Sequence, residues 1–254
     1  MMFSQAIVRT PPESLIDGIT TAGLGAPDYE LALMQHRQYI QALESCELKI
    51  TVMDADERYA DSMFVEDTAL LMPRCAVVTN PGAQARKGEV VEISTLLHEF
   101  YDRVESIQTP GTVDAGDIMM VDDHCYIGLS ERTNADGASQ MIEYLETAGY
   151  SGSTLSISEA LHLKSSVAYL EKNNLVVTGE LVDRPEFGGF NRVEIEQSEH
   201  RAANCVWIND RVLVAAGHPH ASEKIDSLGY SVIELDVSEF EKLDGGLSCL
   251  SLRF

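Results

Sequence analysis

Apolar residues along this 254-residue chain recur in two rhythms that take turns. Short apolar runs at 3–8, 48–53, 64–65, 69–71, 75–79, 104–107, 118–121, 125–129, 167–170, 175–178, 205–208, 212–216 and 232–235 read as strands. Between some of them the spacing changes to three and four, as on one face of a helix. Tyr29, Leu33, His36, Ile40, Leu43 and Cys46 form one such face; 94–101, 138–147 and 222–228 form three more. Gly149 and Gly229 follow the last two and read as helix stops. Polar turns at 122–123, 171–174 and 209–210 join strand pairs into hairpins. Residues 16–28, with three glycines and a proline and no period, read as a loop long enough to cover a site.

These pieces repeat. Taking Phe64, Asp117, Ser165, Ala203 and Cys249 as markers, the steps are 53, 48, 38 and 46 residues. The fifth unit has only its first strand before the chain ends at Phe254, and its partner is expected to be the strand at 3–8. Periods of this size indicate radial or solenoid repetition, and closing a ring removes exposed sheet edges. An ordinary α/β sandwich is the alternative. In the last twelve residues, LDGGLSCLSLRF, a glycine pair precedes Cys249, and Leu250, Leu252 and Phe254 alternate as in a strand pinned into the body of the fold.

Composition narrows the function. The chain has 41 acidic and 18 basic residues, a net charge of −23, which disfavours nucleic acid as a partner. It makes an arginine beside a pocket informative, because a rare cation there has an anion to hold. No apolar run reaches bilayer length, and MMFSQAIVRT lacks the marks of a signal peptide, so no membrane partner and a cytoplasmic location are expected. Cys46, Cys75, Cys125, Cys205 and Cys249 are odd in number, widely spaced and without a CxxC, against a disulfide scaffold or a tetrahedral zinc site. His218 and His220 flank Pro219 and read as a surface turn, not a ligand pair.

Polar residues collect where the units begin. Arg58, Asp61, Glu66 and Asp67 fall within ten residues; Asp114 and Asp117 enter a strand through PGTVDAGD; His162 lies between two leucines; Cys249 follows its glycine pair. In a ring, equivalent positions face one axis and can meet. On local pattern alone Cys249 is either a buried structural thiol or a nucleophile, and His162 either a satisfied histidine or a proton carrier. Carboxylates crowded around a thiol would hold it protonated unless the substrate brings positive charge. A planar guanidinium suits such a cluster, since its N–H groups bind carboxylates bidentately. Arg86 and Arg132 could hold a carboxylate at the other end of the same molecule.

Over its whole length the sequence resembles the dimethylarginine dimethylaminohydrolases, within the guanidino-group-modifying enzymes. The resemblance is carried in order by IDGITT with GLGAPDY, DERYADSMFVEDTALL, NPGAQARKGE, PGTVDAGDIMMV, GLSERTNADGA, ALHLKSSVAYLE, ANCVWIND and LDGGLSCLSLRF. It implies one catalytic domain over residues 1–254, a five-bladed α/β propeller of ββαβ repeats closed by the N- and C-terminal strands. It further implies Cys249 as nucleophile, His162 as general acid and base, and Asp114 as acidic partner. Glu66 and Asp67 would hold the guanidinium, Asp61 and the backbone at Ile19 and Leu243 would complete the pocket, and Arg86 and Arg132 would take the substrate carboxylate. The implied partner is a small guanidino amino acid, with no organic cofactor or metal required, although a Cys–His–Asp group can take up zinc adventitiously. Phe64, Met63 and Leu247 are available as apolar walls for a methylated nitrogen. The assembly state stays open, a homodimer included. Arginine deiminase activity is the nearer rival, although those enzymes carry an extra helical region that is not found here; a non-catalytic binding propeller is the other.

Overall fold

The structure, a computed structural model, describes residues 2–254. Five three-stranded sheets carry one plan: two antiparallel strands, a connection, and a third strand parallel to the second. One sheet has β3 (Ala69–Met72), β4 (Cys75–Val78) and β5 (Val104–Ser106), with α2 (Val90–Leu97) between the last two. The next has β6 (Ile118–Val121), β7 (His124–Leu129), α3 (Ala135–Thr147) and β8 (Ser151–Ser156). The third has β9 (Val167–Tyr169), β10 (Asn174–Val177) and β11 (Asn191–Glu194); the fourth has β12 (Val206–Ile208), β13 (Arg211–Ala215), α4 (Pro219–Asp226) and β14 (Ser231–Leu235).

The fifth sheet closes the ring. The C-terminal strand β15 (Leu252–Arg253) pairs antiparallel with β1 (Gln5–Arg9), Ile7 opposite Leu252, and β1 pairs parallel with β2 (Lys49–Met53) across α1 (Tyr29–Ser45). This is the expected pairing of the two chain ends in a five-bladed α/β propeller. Buried Leu247, Leu250 and Leu252 hold the closing segment, each contributing roughly 1.5–3 kcal/mol by leaving water. The first strands of all five sheets surround an axial cavity of about 190 Å³. The innermost apolar faces pack into five clusters between neighbouring blades.

Several elements differ from the sequence reading. The helix expected at 94–101 is α2, Val90–Leu97, because its buried face is set by Ile93 and Leu97; Tyr101 joins that core from a turn beyond the helix. The third sheet has no α-helix: two 3-10 turns, Gly179–Leu181 and Pro185–Phe187, bury Leu181 and Phe187 instead. Strand β11 was not anticipated, since Val193 is its one buried residue, and neither was the short α5 (Ser238–Glu241). The expected strand from Leu250 to Phe254 shortens to β15, and residues 64–65 give way to a 3-10 turn, Val65–Thr68. The hairpin turns do hold left-handed residues, Asp122 at φ 50° and Asn209 at φ 58° among them.

Every first strand is entered through a 3-10 turn: Val65–Thr68, Ala115–Asp117, Leu163–Ser165, Gln197–Ala203 and Ser248–Leu250. The turns of neighbouring blades touch around the axis. This ring of turns is what collects residues distant in sequence at one end of the propeller.

Candidate active site

Asp67 lies on the first of these turns, Asp114 caps the second, His162 caps the third, and Cys249 lies on the last. All four line one cavity with Asp61, Phe64, Arg86, Arg132, Leu161, Leu243, Asp244, Gly245 and Ile19. It is a small cavity of about 30 Å³, and a larger groove of about 370 Å³ adjoins it at Leu161, Asp244 and Gly245.

The histidine is held from two sides. His162 Nε2 stands 3.1 Å from Asp114 Oδ2, and Nδ1 lies 4.0 Å from Asp67 Oδ1. Burial alone would push its pKa down, but the charges of Asp67 and Asp117 and the hydrogen bond to Asp114 push it up to about 9. Asp114 is buried, which works against its charge, yet His162, Arg86 and the Gly82 N–H at 2.8 Å hold it below the usual carboxylate range. The pair is therefore imidazolium and carboxylate at neutral pH. Asp67 Oδ1 accepts the Gly116 N–H at 3.0 Å. A Cβ on Gly116 would come within 2.6 Å of that oxygen and 3.0 Å of His162 Nδ1, so only glycine lets the backbone approach.

Cys249 is half-buried, unlike the other four cysteines, which are buried. Burial, then the charges of Glu66 and Asp67, push its thiol up to about 12. The free site therefore pairs a protonated thiol with a protonated imidazole. Its N–H donates to Gly246 O at 3.2 Å, and the preceding Ser248 N–H donates to Asn204 Oδ1 at 2.8 Å. Those commitments keep Ser248–Leu250 out of the β ladder and explain why the terminal strand is short.

The structure brings nine of the ten expected residues together and leaves Glu66 outside. Glu66 and Asp67 are neighbours on a 3-10 turn, where successive side chains point about 120° apart. Asp67 enters the Cys249 cavity, whereas Glu66 faces the axial cavity and is bound by Ser248 Oγ at 2.6 Å, Lys164 Nζ at 2.7 Å and Arg253 Nη2 at 3.0 Å. The two carboxylates expected to share one guanidinium therefore line different cavities, Asp67 that of Cys249 and Glu66 the axial one.

The two arginines also differ. Arg86 is buried, with Nη1 at 2.5 Å from Asp67 Oδ2, Nε and Nη2 on Glu89, and Nη2 on the Phe64 carbonyl. Burial opposes its charge, and Glu89 and Asp67 restore it. Arg132 is half-buried, and its guanidinium makes no hydrogen bond or ion pair among the described residues. It is the available cation at the cavity; Arg86 is already neutralised.

Ile19 lines the cavity, and its neighbours Thr20 and Thr21 are tied to Lys242 and Asp244. Ile19 N–H donates to both oxygens of Asp61 at 3.2 Å, and burial raises the Asp61 pKa while Arg86 and this N–H oppose the rise. Thr20 Oγ1 donates to Lys242 O at 2.7 Å, and Thr21 N–H to Asp244 Oδ2 at 2.5 Å. Of the expected apolar walls, Phe64 lines the cavity. Met63 is instead buried in the core, and Leu247 faces the adjoining groove. The ligand atoms of Asp67, Asp114 and His162 lie within 4.8 Å of one another and could hold a divalent cation, a set without Cys249. His220 is exposed on Glu199 and His218 is half-buried near Glu241, on separate partners.

Residues outside the expected set complete the surroundings. Asp117, fully buried, accepts from Leu163 N–H at 2.9 Å and Ser130 Oγ at 2.6 Å, and its charge adds to the field on His162. It stands in the same PGTVDAGD stretch as Asp114, a signal that was legible. Ser248 and Asn204 gave none beyond proximity to Cys249 and to a blade start.

The family model for "N,N dimethylarginine dimethylhydrolase, eukaryotic" matches residues 27–251. The N(G),N(G)-dimethylarginine dimethylaminohydrolase of Pseudomonas aeruginosa is 55% identical over 254 residues, 100% of both chains. This chain belongs to the dimethylarginine dimethylaminohydrolase family. Another member, from Streptomyces coelicolor, is 32% identical over 100% of this chain and 98% of its own. A solved structure of a mutant P. aeruginosa dimethylarginine dimethylaminohydrolase complexed with citrulline superposes with a TM-score of 0.99 at 55% identity, covering 100% of both chains. Membership of this family accords with a carboxylate-lined cavity built around a cysteine and a histidine.

Proposed function

We propose that this protein hydrolyses N-ω-methylated arginines, asymmetric dimethylarginine and monomethylarginine, to citrulline with release of dimethylamine or methylamine. The observation that carries this reading is the cavity's geometry: Cys249 shares it with His162, whose imidazole lies 3.1 Å from Asp114 and 4.0 Å from Asp67. A cationic guanidinium entering beside Asp67 stabilises the Cys249 thiolate, and the thiol proton leaves to solvent as the substrate binds. Cys249 Sγ attacks the guanidinium carbon, forming the S–C bond. The C–N bond to the methylated nitrogen then breaks as His162 gives that nitrogen its proton. Water, losing a proton to the now neutral His162, adds to the same carbon; the S–C bond then breaks, the remaining hydroxyl proton passes to the departing sulfur, and the ureido carbonyl of citrulline and the Cys249 thiol are left.

The other end of the substrate fits the remaining groups. Arg132 takes the α-carboxylate, and Asp61 with the Ile19 and Leu243 backbone takes the α-amino group. Arg86 fixes Asp67 from behind instead of meeting the carboxylate alone. Phe64 and Leu161 supply the apolar wall against a methyl group, which is worth roughly 1 kcal/mol of preference. Ile19 lines the cavity from the loop at 16–28, and that loop opens to admit substrate and closes to exclude water.

Mixing the purified protein with dimethylarginine, monomethylarginine and arginine in one vessel, and following citrulline and each amine by mass spectrometry, tests this. The expected result is citrulline with dimethylamine or methylamine, at a higher kcat/KM than arginine gives. Arginine ahead by about tenfold or more would make the protein an arginine deiminase, with the same chemistry on another substrate.

A further inference from the structure

We propose that Asn204 is a positioning residue for the reaction, holding the turn that carries Cys249 in register with the turn that carries His162. This rests on the hydrolase reading above. One side-chain amide spans two blades: Oδ1 accepts the Ser248 N–H at 2.8 Å, and Nδ2 donates to Ser248 Oγ at 3.0 Å and to Lys164 O at 2.8 Å. Ser248 immediately precedes the nucleophile, and Lys164 lies two residues beyond the histidine. Nearly every polar position of the amide is thus committed to the backbone or hydroxyl of these two turns, and the group is itself buried.

Gly246 is independent evidence that the amide must reach this place. A Cβ there would lie 2.5 Å from Asn204 Oδ1 and 2.7 Å from Cγ, so the second glycine of the pair makes room for the clamp. A Cβ on Gly245 would meet a different neighbour, the Phe64 ring. The two glycines before Cys249 therefore answer to separate contacts, and only Gly246 answers to Asn204. Without the amide, Ser248 N–H loses its acceptor and the Cys249 turn loses its tie to Lys164. Attack and proton transfer depend on sub-ångström placement of sulfur and imidazole, while the groups holding the amino-acid end of the substrate, Arg132 and Asp61, are untouched.

The test uses steady-state kinetics on dimethylarginine, normalised to folded protein, with crystal structures of the variants. Asn204→Asp keeps the shape and the acceptor for Ser248 N–H but loses both donors; Asn204→Ala loses all three bonds. Each should lower kcat by about 10- to 100-fold with KM changed less than about threefold. Gly246→Ala should give a similar loss, and the double variant Gly246→Ala with Asn204→Ala should fall no further than the worse single one, because the alanine at 204 removes the clash. In the Asn204→Asp crystal structure, Ser248 and Cys249 should be displaced relative to His162, a readout independent of turnover. Should Asn204→Ala fail to fold, Asn204→Asp decides. An unmoved turn, a kcat within about threefold of wild type, a loss confined to KM, or multiplying losses in the double variant would overturn the proposal. If wild type fails on every guanidino substrate while the turn moves as described, the hydrolase reading falls and the clamp stands.

Discussion

Glu66 and Asp67 are adjacent in the chain and sit in opposite regions of the molecule. Asp67 opens onto the Cys249 cavity, beside His162 and a neutralised Arg86. Glu66 opens onto the axial cavity, where Lys164, Arg253 and Ser248 occupy both of its oxygens. The axial region is self-satisfied: its carboxylate has cations of its own. The Cys249 region is left with an excess of negative charge around a proton-bearing thiol and imidazole, a state that a guanidinium completes. Charge surplus, not carboxylate count, separates a binding site from a structural network here.

The sharpest way to break the comparison is to neutralise one carboxylate at a time. Asp67→Asn should cost about 10³-fold in kcat/KM, since it removes the charge facing the guanidinium and the leading charge that sustains imidazolium. It should also shift the pH profile. His162 is raised to about 9, so its proton is present at neutral pH and the alkaline limb of activity should fall near that value. Without Asp67 that limb should move to lower pH. Stability carries the same sign: a raised histidine stabilises the fold fully below its unfolded pKa of about 6.5, and the contribution is lost as pH rises through about 9. Thermal melts from pH 6 to 10 should therefore show the Asp67→Asn variant with a flatter decline than wild type.

A smaller effect separates the arginines. Arg132→Ala should cost roughly 2–3 kcal/mol in kcat/KM on dimethylarginine and far less on a decarboxylated analogue, with Tm unchanged. Arg86→Ala strands Asp67 and Glu89 without their cation, a buried loss of roughly 3–5 kcal/mol of stability, so Tm should fall and both substrates should suffer alike. Equal behaviour of the two variants would show that they share one role. The smallest effect belongs to Glu66→Gln. Its removal leaves Lys164 and Arg253 partly paired and should change kcat/KM by less than about tenfold, while lowering the Cys249 thiol pKa, because Glu66 is one of the charges that raise it.

Much of this was legible in the sequence, for physical reasons that also mark where legibility stops. Apolar periodicity reports buried faces, so β1, α1, the hairpins and the ring closure through β15 followed from it. Strand β11 and the helix-free third sheet did not, since one buried valine and two 3-10 turns leave no periodic trace. Asp67, Asp114, His162 and Cys249 stood out as candidates because each stands at the start of a repeat, while their roles were implied only by the resemblance. The direction in which Glu66 points, the prior commitment of Arg86 to Glu89, and the span of Asn204 across two blades depend on a single bond rotation or a single approach distance. Residue spacing encodes neither.

The central claim is that the free site holds a protonated cysteine awaiting a cationic substrate. Ultraviolet titration of thiolate in wild type minus Cys249→Ser tests it most directly. Because burial, Glu66 and Asp67 push the thiol up to about 12, the difference spectrum should show no Cys249 thiolate at neutral pH, and ionisation only above the ordinary cysteine value of about 8.5. A bound guanidino substrate analogue should bring ionisation to lower pH. A free-enzyme thiolate already formed well below pH 8.5, or one indifferent to the cation, would contradict the account.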